Sequence, residues 1–288
     1  MKQENRRGKA LSVVMSATLA ATFGVPALAV ADEAAPTPAA IEQSAANDGV
    51  QQGASAVAPT EQDALQAQAE GAIKIGETSY PTLQEAVDAV SAGTASGTVV
   101  TLTGDVSGNG VVVKSGTDLT LDLGGHTYTV DGSTVGSAGT ETNGFQLLQN
   151  SDITFKNGTI KSDKAVILIQ NYSNLTLDGV SLEGGKLTQY TLSNNNGNTV
   201  IGAGTNVKAG QAAPGVAFDV CGFSSYKQVS VTVSPDAGAI VGAIELSSGN
   251  DADLSLSING GDLSAASLNV ASGGDKVKVE KSENVALP

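Results

Sequence analysis

The sequence of 288 residues has no tryptophan, one cysteine and one histidine, and its only arginines, Arg6 and Arg7, stand near its start. The single Cys221 excludes an intrachain disulfide. Because His126 lies far from it in the sequence, we interpret Cys221 as a small buried side chain rather than a nucleophile. Acidic residues number 29 against 15 basic ones, which gives a formal charge of −14. Such a surface repels nucleic acid and anionic lipid, so neither is expected as a partner.

The segment from Met1 to Ala31 is predicted to be a secretory signal peptide. Four basic residues precede a largely apolar run from Ala10 to Ala21, and small residues then lead to a cleavage site after Ala31. The alternative, an uncleaved membrane anchor, is disfavoured because a spanning helix needs roughly 20 apolar residues. The expected location is therefore extracellular, either secreted or associated with the cell surface, with no membrane insertion after cleavage.

Three further regions follow the predicted leader. Residues 32–71 are rich in Ala, Gln and Pro, and we interpret them as a disordered linker. Residues 72–97 are predicted to hold a strand and a helix that caps the remainder, because Leu83, Ala86, Val87 and Val90 fall on one helical face. Residues 98–288 carry β-branched residues and turn residues without helical signals, which indicates strands.

A short phrase of alternating apolar and polar residues returns six times in the region of strands. The phrases begin at Asp118, Asp152, Asn174, Asn198, Gln228 and Asp253. The spacing between successive starts is that of one coil of a β-solenoid, and two of the coils carry longer loops. The predicted fold is all-β, a right-handed parallel β-helix with an N-terminal capping α-helix.

Stacking of successive coils predicts which residues share a column. Side chains alternate between the two faces of a strand, so two apolar columns are expected inside and one charged column outside. The inner columns are Leu119, Ile153 and Leu175, and Leu121, Phe155 and Leu177, and the outer column is Asp122, Lys156 and Asp178. A second segment, which starts at Phe145 and is repeated from Ile167, predicts an amide ladder of Gln149, Asn171 and Asn195.

The order of elements carries a resemblance to a known superfamily. A short helix, the stretch Leu119 to Tyr128, and coils with the Asn-Gly-Thr-Ile pattern of Asn157 to Ile160 resemble the pectin-lyase-like right-handed parallel β-helix. More narrowly, the chain resembles the secreted or surface β-helical, adhesin-like proteins of gut-dwelling Gram-positive bacteria. The resemblance spans about Ile73 to Ser272. It implies the fold, whereas the same architecture serves lyases, hydrolases, adhesins and spacers.

No catalytic, cofactor-binding or metal-binding residues are predicted. The basic residue that the resemblance implies for a lyase, usually Arg, is absent from the predicted mature chain, which leaves lysines such as Lys156 or Lys186 for that role. The motifs of the polygalacturonase branch are missing, and Gly125-His126 is followed by Thr127. Carboxylates at the surface allow adventitious calcium only, because no calcium-loop spacing is present.

A ligand-binding face is expected beside the two longest excursions between strands, residues 131–143 and 208–215, because solenoids place function where a coil carries extra length. The candidate residues for this face are Asp131, Glu141, Asn143, Lys208, Tyr172 and Tyr190.

Three functions follow from these observations. The first is a non-catalytic, adhesin-like β-helix, expected to be monomeric, that binds glycans, matrix, or host or cell-surface proteins. The second is a carbohydrate-active enzyme, either a pectate-lyase-like lyase or a glycoside hydrolase. The third is the N-terminal part of a larger protein anchored to the cell wall.

Overall fold

The computed structural model describes residues 71–248, 250–270 and 274–288, which form a parallel β-solenoid of about seven turns. The solenoid fold predicted from the sequence is therefore confirmed. The predicted signal peptide, 1–31, and the predicted linker, 32–71 except Gly71, lie outside the described residues.

One α-helix and twenty strands make up the described part of the chain, together with a 3-10 turn at Gly274–Lys276. The helix, α1, spans Leu83–Ser91. The strands are β1 (Ile73–Ile75), β2 (Thr78–Tyr80), β3 (Val99–Leu102), β4 (Val106–Gly108), β5 (Val111–Val113), β6 (Asp118–Asp122), β7 (Thr127–Val130), β8 (Asn143–Leu147), β9 (Asp152–Ser162), β10 (Ile167–Asn171), β11 (Asn174–Gly184), β12 (Tyr190–Asn194), β13 (Gly197–Ile201), β14 (Asn206–Lys208), β15 (Val216–Gly222), β16 (Gln228–Val233), β17 (Ala239–Ser248), β18 (Asp253–Ile258), β19 (Asp262–Val270) and β20 (Val277–Lys281).

The parallel pairings arrange these strands into three faces around one interior. Face A stacks β3, β6, the first half of β9, the first half of β11, β13, β16, β18 and β20. Face B stacks β4, β7, the second halves of β9 and β11, β14, and the first halves of β17 and β19. Face C stacks β5, β8, β10, β12, β15, and the second halves of β17 and β19.

The register on face A confirms all three predicted columns. Leu119 pairs with Ile153 and Ile153 with Leu175, while Leu121, Phe155 and Leu177 pair in the same way. The outer column is also as predicted, and Lys156 Nζ lies 3.3 Å from Asp122 Oδ2.

One predicted spacing on face A is wrong by two residues. The sequence phrases placed Gln228 beside Asn198, whereas the structure pairs Asn198 with Ser230. The coil between them is thus two residues longer than the phrases indicated. Because side chains alternate with a period of two, the error leaves every interior residue of β16 inside, and Val229, Val231 and Val233 are buried.

The predicted amide ladder on face C also needs correction. Asn171 pairs with Leu147 and with Asn194, so neither Gln149 nor Asn195 belongs to its column. The real ladder is interior: Asn171 Nδ2 donates to Asn194 Oδ1 at 3.3 Å and to Thr199 Oγ1 at 2.9 Å. Asn195 directly follows the last residue of β12, and a shift of one residue places its side chain on the outer side of face C, where it is buried beside Gln170.

A left-handed residue at the corner between faces A and B keeps the bend short. Asn157 and Gly179 occupy equivalent positions after the outer column, with φ of 59° and 65°. Glycine and asparagine tolerate this conformation, which explains the recurring Asn and Gly at the end of the phrase. The bend takes so few residues that β9 and β11 each run through two faces.

The interior of the early coils holds three aromatic rings, one from each face. Phe155 of face A lies 5.4 Å from Phe145 of face C, which lies 5.6 Å from Tyr128 of face B, both in edge-to-face geometry. All three side chains are buried. The Tyr128 hydroxyl donates to the carbonyl of Asn109 at 2.6 Å, so its polar end is satisfied.

The N-terminal end of the solenoid is closed by α1 and by an antiparallel hairpin of β1 and β2 laid on β3. Leu83, Ala86 and Val87 of α1 are buried, as the helical spacing predicted, and Val90 is partly buried. The side chain of Gln84 makes the two hydrogen bonds that a neighbouring strand would make with Val112. Its Nε2 donates to Val112 O at 3.0 Å, and its Oε1 accepts from Val112 N at 2.7 Å. The open edge of β5 is thereby satisfied by one carboxamide.

Candidate functional site

The outer surface of face C carries two adjacent columns of polar and aromatic side chains. One column runs through five successive coils and the next lies beside it, displaced by two residues along each strand. The first column is Gln146, Gln170, Ser193, Asp219 and Glu245, and the second is Tyr172, Asn195, Cys221 and Ser247.

Hydrogen bonds join several of these side chains, together with Asn143, into a line along the solenoid axis, called the polar line below. Asn143 Nδ2 donates to Gln170 Oε1 at 2.6 Å, and Gln170 Nε2 donates to the Tyr172 hydroxyl at 2.7 Å and to Asn195 Oδ1 at 3.5 Å. Ser193 Oγ donates to the same Asn195 oxygen at 3.5 Å. The amides and hydroxyls therefore hold one another in fixed orientations.

Asp219 is the one acidic side chain among the described residues that is almost fully buried, at 5% exposure. Ser193 Oγ donates to its Oδ2 at 2.9 Å and the Asn194 N–H to its Oδ1 at 2.7 Å. Burial raises the pKa of Asp219 to about 7, and the neighbouring Glu245 adds to the rise, while the two hydrogen bonds oppose it. The site thus holds a carboxyl group that changes charge near neutral pH.

Glu245 follows Asp219 on the next coil and is half-buried. Partial burial raises the pKa of its carboxyl group above the usual range. Tyr190 belongs to the same surroundings, because the pKa of its hydroxyl is raised by burial first and then by the negative charges of Glu245 and Asp219. Two carboxyl groups and a phenol therefore share this part of face C.

Aromatic rings lie beside Tyr172, which belongs to the polar line. The turn after β15 brings Phe223 to 6.2 Å and Tyr226 to 5.4 Å from Tyr172, measured between ring centroids. Phe223 remains 50% exposed, and Tyr226 is half-buried. Burial raises the pKa of the Tyr172 hydroxyl, as does its proximity to Tyr226. The cluster Tyr172, Phe223 and Tyr226 is called the aromatic wall below.

Cys221 is not the core residue that the sequence suggested. It lies on the outer surface of face C, half-buried, where Ser247 Oγ donates to its sulfur at 3.4 Å. Burial is the first cause that raises the pKa of its thiol, with the Asp219 charge second. A thiol with a raised pKa is a weak nucleophile at neutral pH.

The six predicted ligand-face residues divide between separate surfaces. Asn143, Tyr172 and Tyr190 lie on face C. Asp131 and Lys208 instead line a shallow depression on face B, in which Lys208 follows Glu183 in register. Asp131 Oδ1 lies 3.3 Å from Lys164 Nζ. The sixth candidate, Glu141, lies exposed in the first excursion, where its Oε1 accepts a hydrogen bond from Gly139 N at 3.0 Å.

Sequence reasoning missed Asp219, Glu245 and Phe223. A signal was present for the first, because Asp219 alternates with the apolar Phe218 and Val220 as an outward residue of a buried strand does. Nothing in the sequence indicated that a turn would fold over the surface beside it.

Other features bear on what this surface can bind. Within residues 71–248, 250–270 and 274–288 there is no group of three or more His, Cys, Asp or Glu side chains arranged to hold a metal ion. No helix in the same described ranges is long and apolar enough to cross a membrane.

Comparison of the chain with protein-family models, with curated proteins and with solved structures gave no match in any of the three. The likeness to the pectin-lyase-like superfamily, and to its adhesin-like members, therefore stays a prediction from the residues quoted above. The arrangement of face C is the remaining guide to function.

Proposed function

We propose that the protein is a secreted or surface-associated, non-catalytic β-solenoid that binds glycans through the outer surface of face C. The observation that supports this proposal is the placement of the aromatic residues. Of the aromatic side chains that lie outside the interior in the described ranges, all but Tyr80 lie on or beside face C: Tyr172, Tyr190, Phe223 and Tyr226.

The chemistry of the surface suits a polyhydroxylated ligand. Sugars present apolar ring faces and hydroxyl groups, which match aromatic rings beside oriented amides and carboxyls. The polar line is repeated at the spacing of the coils, about 4.8 Å. Gln146, Gln170 and Glu245 are partly exposed, whereas Ser193, Asn195 and Asp219 are buried between them, so a linear glycan that lies along the solenoid axis meets hydrogen-bonding groups at the two ends of this stretch.

Binding is expected to depend on the aromatic wall. A glycan array probed with the secreted protein identifies ligands, and titration calorimetry then compares the double variant Phe223→Ala, Tyr226→Ala with the parent. The double variant is expected to bind at least about tenfold more weakly, because hot-spot aromatics dominate small interfaces. The matched control is Val99→Ala, which truncates a side chain 44% exposed on face A.

The control is expected to leave affinity unchanged. No ligand on the array, or equal weakening by Val99→Ala, contradicts the proposal. Thermal melts of each variant show that it is folded.

A second candidate, a glycoside hydrolase, is favoured by Asp219 and Glu245. Retaining glycosidases use two carboxyl groups about 5 Å apart, and these two residues lie on adjacent coils. A carboxyl group with a pKa near neutrality is suited to donate a proton.

Incubation with polygalacturonate and with host glycans, with and without calcium, tests this candidate. The proposal of a non-catalytic protein predicts no turnover by the parent chain. Turnover that is lost in both Asp219→Asn and Glu245→Gln, and kept in the surface variant Asp163→Asn, replaces that proposal with the hydrolase.

A further inference from the structure

Face C differs from the other two faces in the charges that its strands carry. Within the described residues no strand of face C contains Lys, Arg or His, whereas face A carries Lys156 and face B carries Lys161 and Lys208. The acidic residues of face C, Asp219 and Glu245, therefore have no basic neighbour in their column. Neither takes part in an ion pair within the described ranges.

Glu245 is the less compensated of these two carboxyl groups. It is half-buried, and within the part of the chain that the structure describes its side chain has no ion-pair or hydrogen-bond partner. Asp219, one coil earlier, accepts hydrogen bonds only from the uncharged Ser193 hydroxyl and Asn194 N–H. A negative charge that is partly removed from water without a positive partner is unfavourable, and a cationic ligand compensates it.

The aromatic wall is suited to hold such a cation. The ring quadrupole of Tyr or Phe attracts a cation that lies within about 6 Å of the ring centroid. The centroid of Tyr172 lies 6.2 Å from that of Phe223 and 5.4 Å from that of Tyr226, so one cation can lie near more than one ring. The rings are tilted by 49° and 37° rather than stacked, and Phe223 is 50% exposed, so part of their faces is accessible.

The chain's own base beside the wall is directed elsewhere. Lys227 follows Tyr226 in the sequence, and its Nζ donates a hydrogen bond to Asn250 O at 3.1 Å.

The aromatic wall and the acidic pair belong to one connected surface. Gln170 Nε2 donates to the Tyr172 hydroxyl at 2.7 Å and to Asn195 Oδ1 at 3.5 Å. Ser193 Oγ continues the path, because it donates to Asn195 Oδ1 and to Asp219 Oδ2. The charge of Asp219 is also felt at the wall, since it contributes, after burial, to the raised pKa of the Tyr172 hydroxyl.

We propose that the aromatic wall, with Asp219 and Glu245 beside it, is a binding site for an ammonium group, and that the glycan bound at face C carries one. This inference rests on the proposed function, because it names the class of glycan that the same surface would bind. A neutral sugar stacks on the rings but leaves both carboxyl groups uncompensated, and an acidic sugar is repelled by them. The formal charge of −14 adds to the attraction of a cationic glycan.

Choline tests the ammonium site without any sugar. The chain has five Tyr, five Phe and no Trp, so nuclear magnetic resonance can follow the ring signals of the wall individually. Choline is expected to shift these signals. Its neutral analogue, in which a carbon atom replaces the nitrogen, has the same shape and is expected to bind at least about fivefold more weakly.

Variants separate the rings from the charge. The double variant Phe223→Leu, Tyr226→Leu keeps an apolar surface without two of the rings, and it is expected to lose the preference for choline over the analogue. Glu245→Gln is expected to weaken choline binding at least about fivefold and to leave the analogue unaffected. Asp178→Asn removes one exposed carboxylate from face A and is the control, with unchanged affinity for both. Thermal melts show that each variant is folded.

Matched glycans distinguish this inference from the proposed function. Oligomers of glucosamine and of N-acetylglucosamine share one backbone, and only the first carry ammonium groups at a pH below the pKa of the amine. Tighter binding of the glucosamine oligomer, competed by choline, supports the inference. A neutral or acidic glycan that requires the wall and is not competed by choline overturns the inference and leaves the proposed function standing.

Two further outcomes are decisive. Choline bound at the wall without any glycan ligand supports the ammonium site and contradicts the proposed function. If neither choline nor any glycan binds, both proposals are wrong.

Discussion

Replacing Phe155 by alanine is expected to lower the free energy of unfolding by about 3–5 kcal/mol. The ring is fully buried, lies in a column between Leu121 and Leu177, and contacts Phe145 edge to face. Its removal leaves a cavity that neighbouring coils cannot fill, because their backbones are held in register on both sides. Urea denaturation followed by circular dichroism measures the loss.

The neighbouring position provides the control. Thr154 lies on the same strand with its side chain outward and half-exposed, so Thr154→Ala is expected to change the free energy of unfolding by less than about 0.5 kcal/mol. Equal losses for the two variants would mean that the assignment of inward and outward residues on face A is wrong.

The second large effect concerns pH. The pKa of Asp219 is about 7 in the folded protein against 3.8 for an unperturbed aspartate, so the folded state holds its proton more tightly than the unfolded state. The resulting stabilisation is complete below pH 3.8 and is lost as pH rises to about 7. The two pKa values differ by about three, and each unit corresponds to about 1.4 kcal/mol, so the loss is roughly 4 kcal/mol.

More than half of this loss falls between pH 5 and pH 8. Urea denaturation at these two values is expected to show a less stable parent chain at pH 8, and a much smaller difference in Asp219→Asn. The amide keeps an acceptor for the Asn194 N–H, and Ser193 Oγ can accept from its NH₂ group. Asp178→Asn, exposed on face A, serves as control. An unchanged pH dependence in Asp219→Asn would show that this carboxyl does not carry the effect.

The sequence predicted the interior of the solenoid well because the alternation of side chains is a local property. Ile153 and Phe155 were assigned inward from their own strand alone. The error of two residues at Gln228 was harmless for the same reason, since it preserves alternation.

Asn195 shows the opposite case. Thr199 pairs with Leu175 on face A, whereas Asn194 pairs with Asn171 on face C, so the same coil is one residue shorter when it is counted on face C. A spacing counted on one face therefore misplaces a residue on another, and a displacement of one residue exchanges inside for outside.

The candidate site was less accessible to prediction because it depends on contacts between distant segments. Asp219 reads as an outward, solvated residue, and its burial becomes evident only when neighbouring coils and Tyr190 are placed around it. Tyr172 meets Phe223, which comes from a turn two coils later in the chain. No pattern within one coil specifies how a turn will fold over the surface of another.

The carboxamide of Gln84 has a consequence for the order in which the chain folds. The residues that finish the N-terminal end precede every coil in the sequence, and a ribosome therefore releases them first. If the coils form in sequence order, each later coil pairs with an edge that is already formed, and only the newest strand lacks a neighbour. A solenoid that forms in this order extends from the end where β1 and α1 lie on the first coil, and few backbone groups are left without a partner at each step.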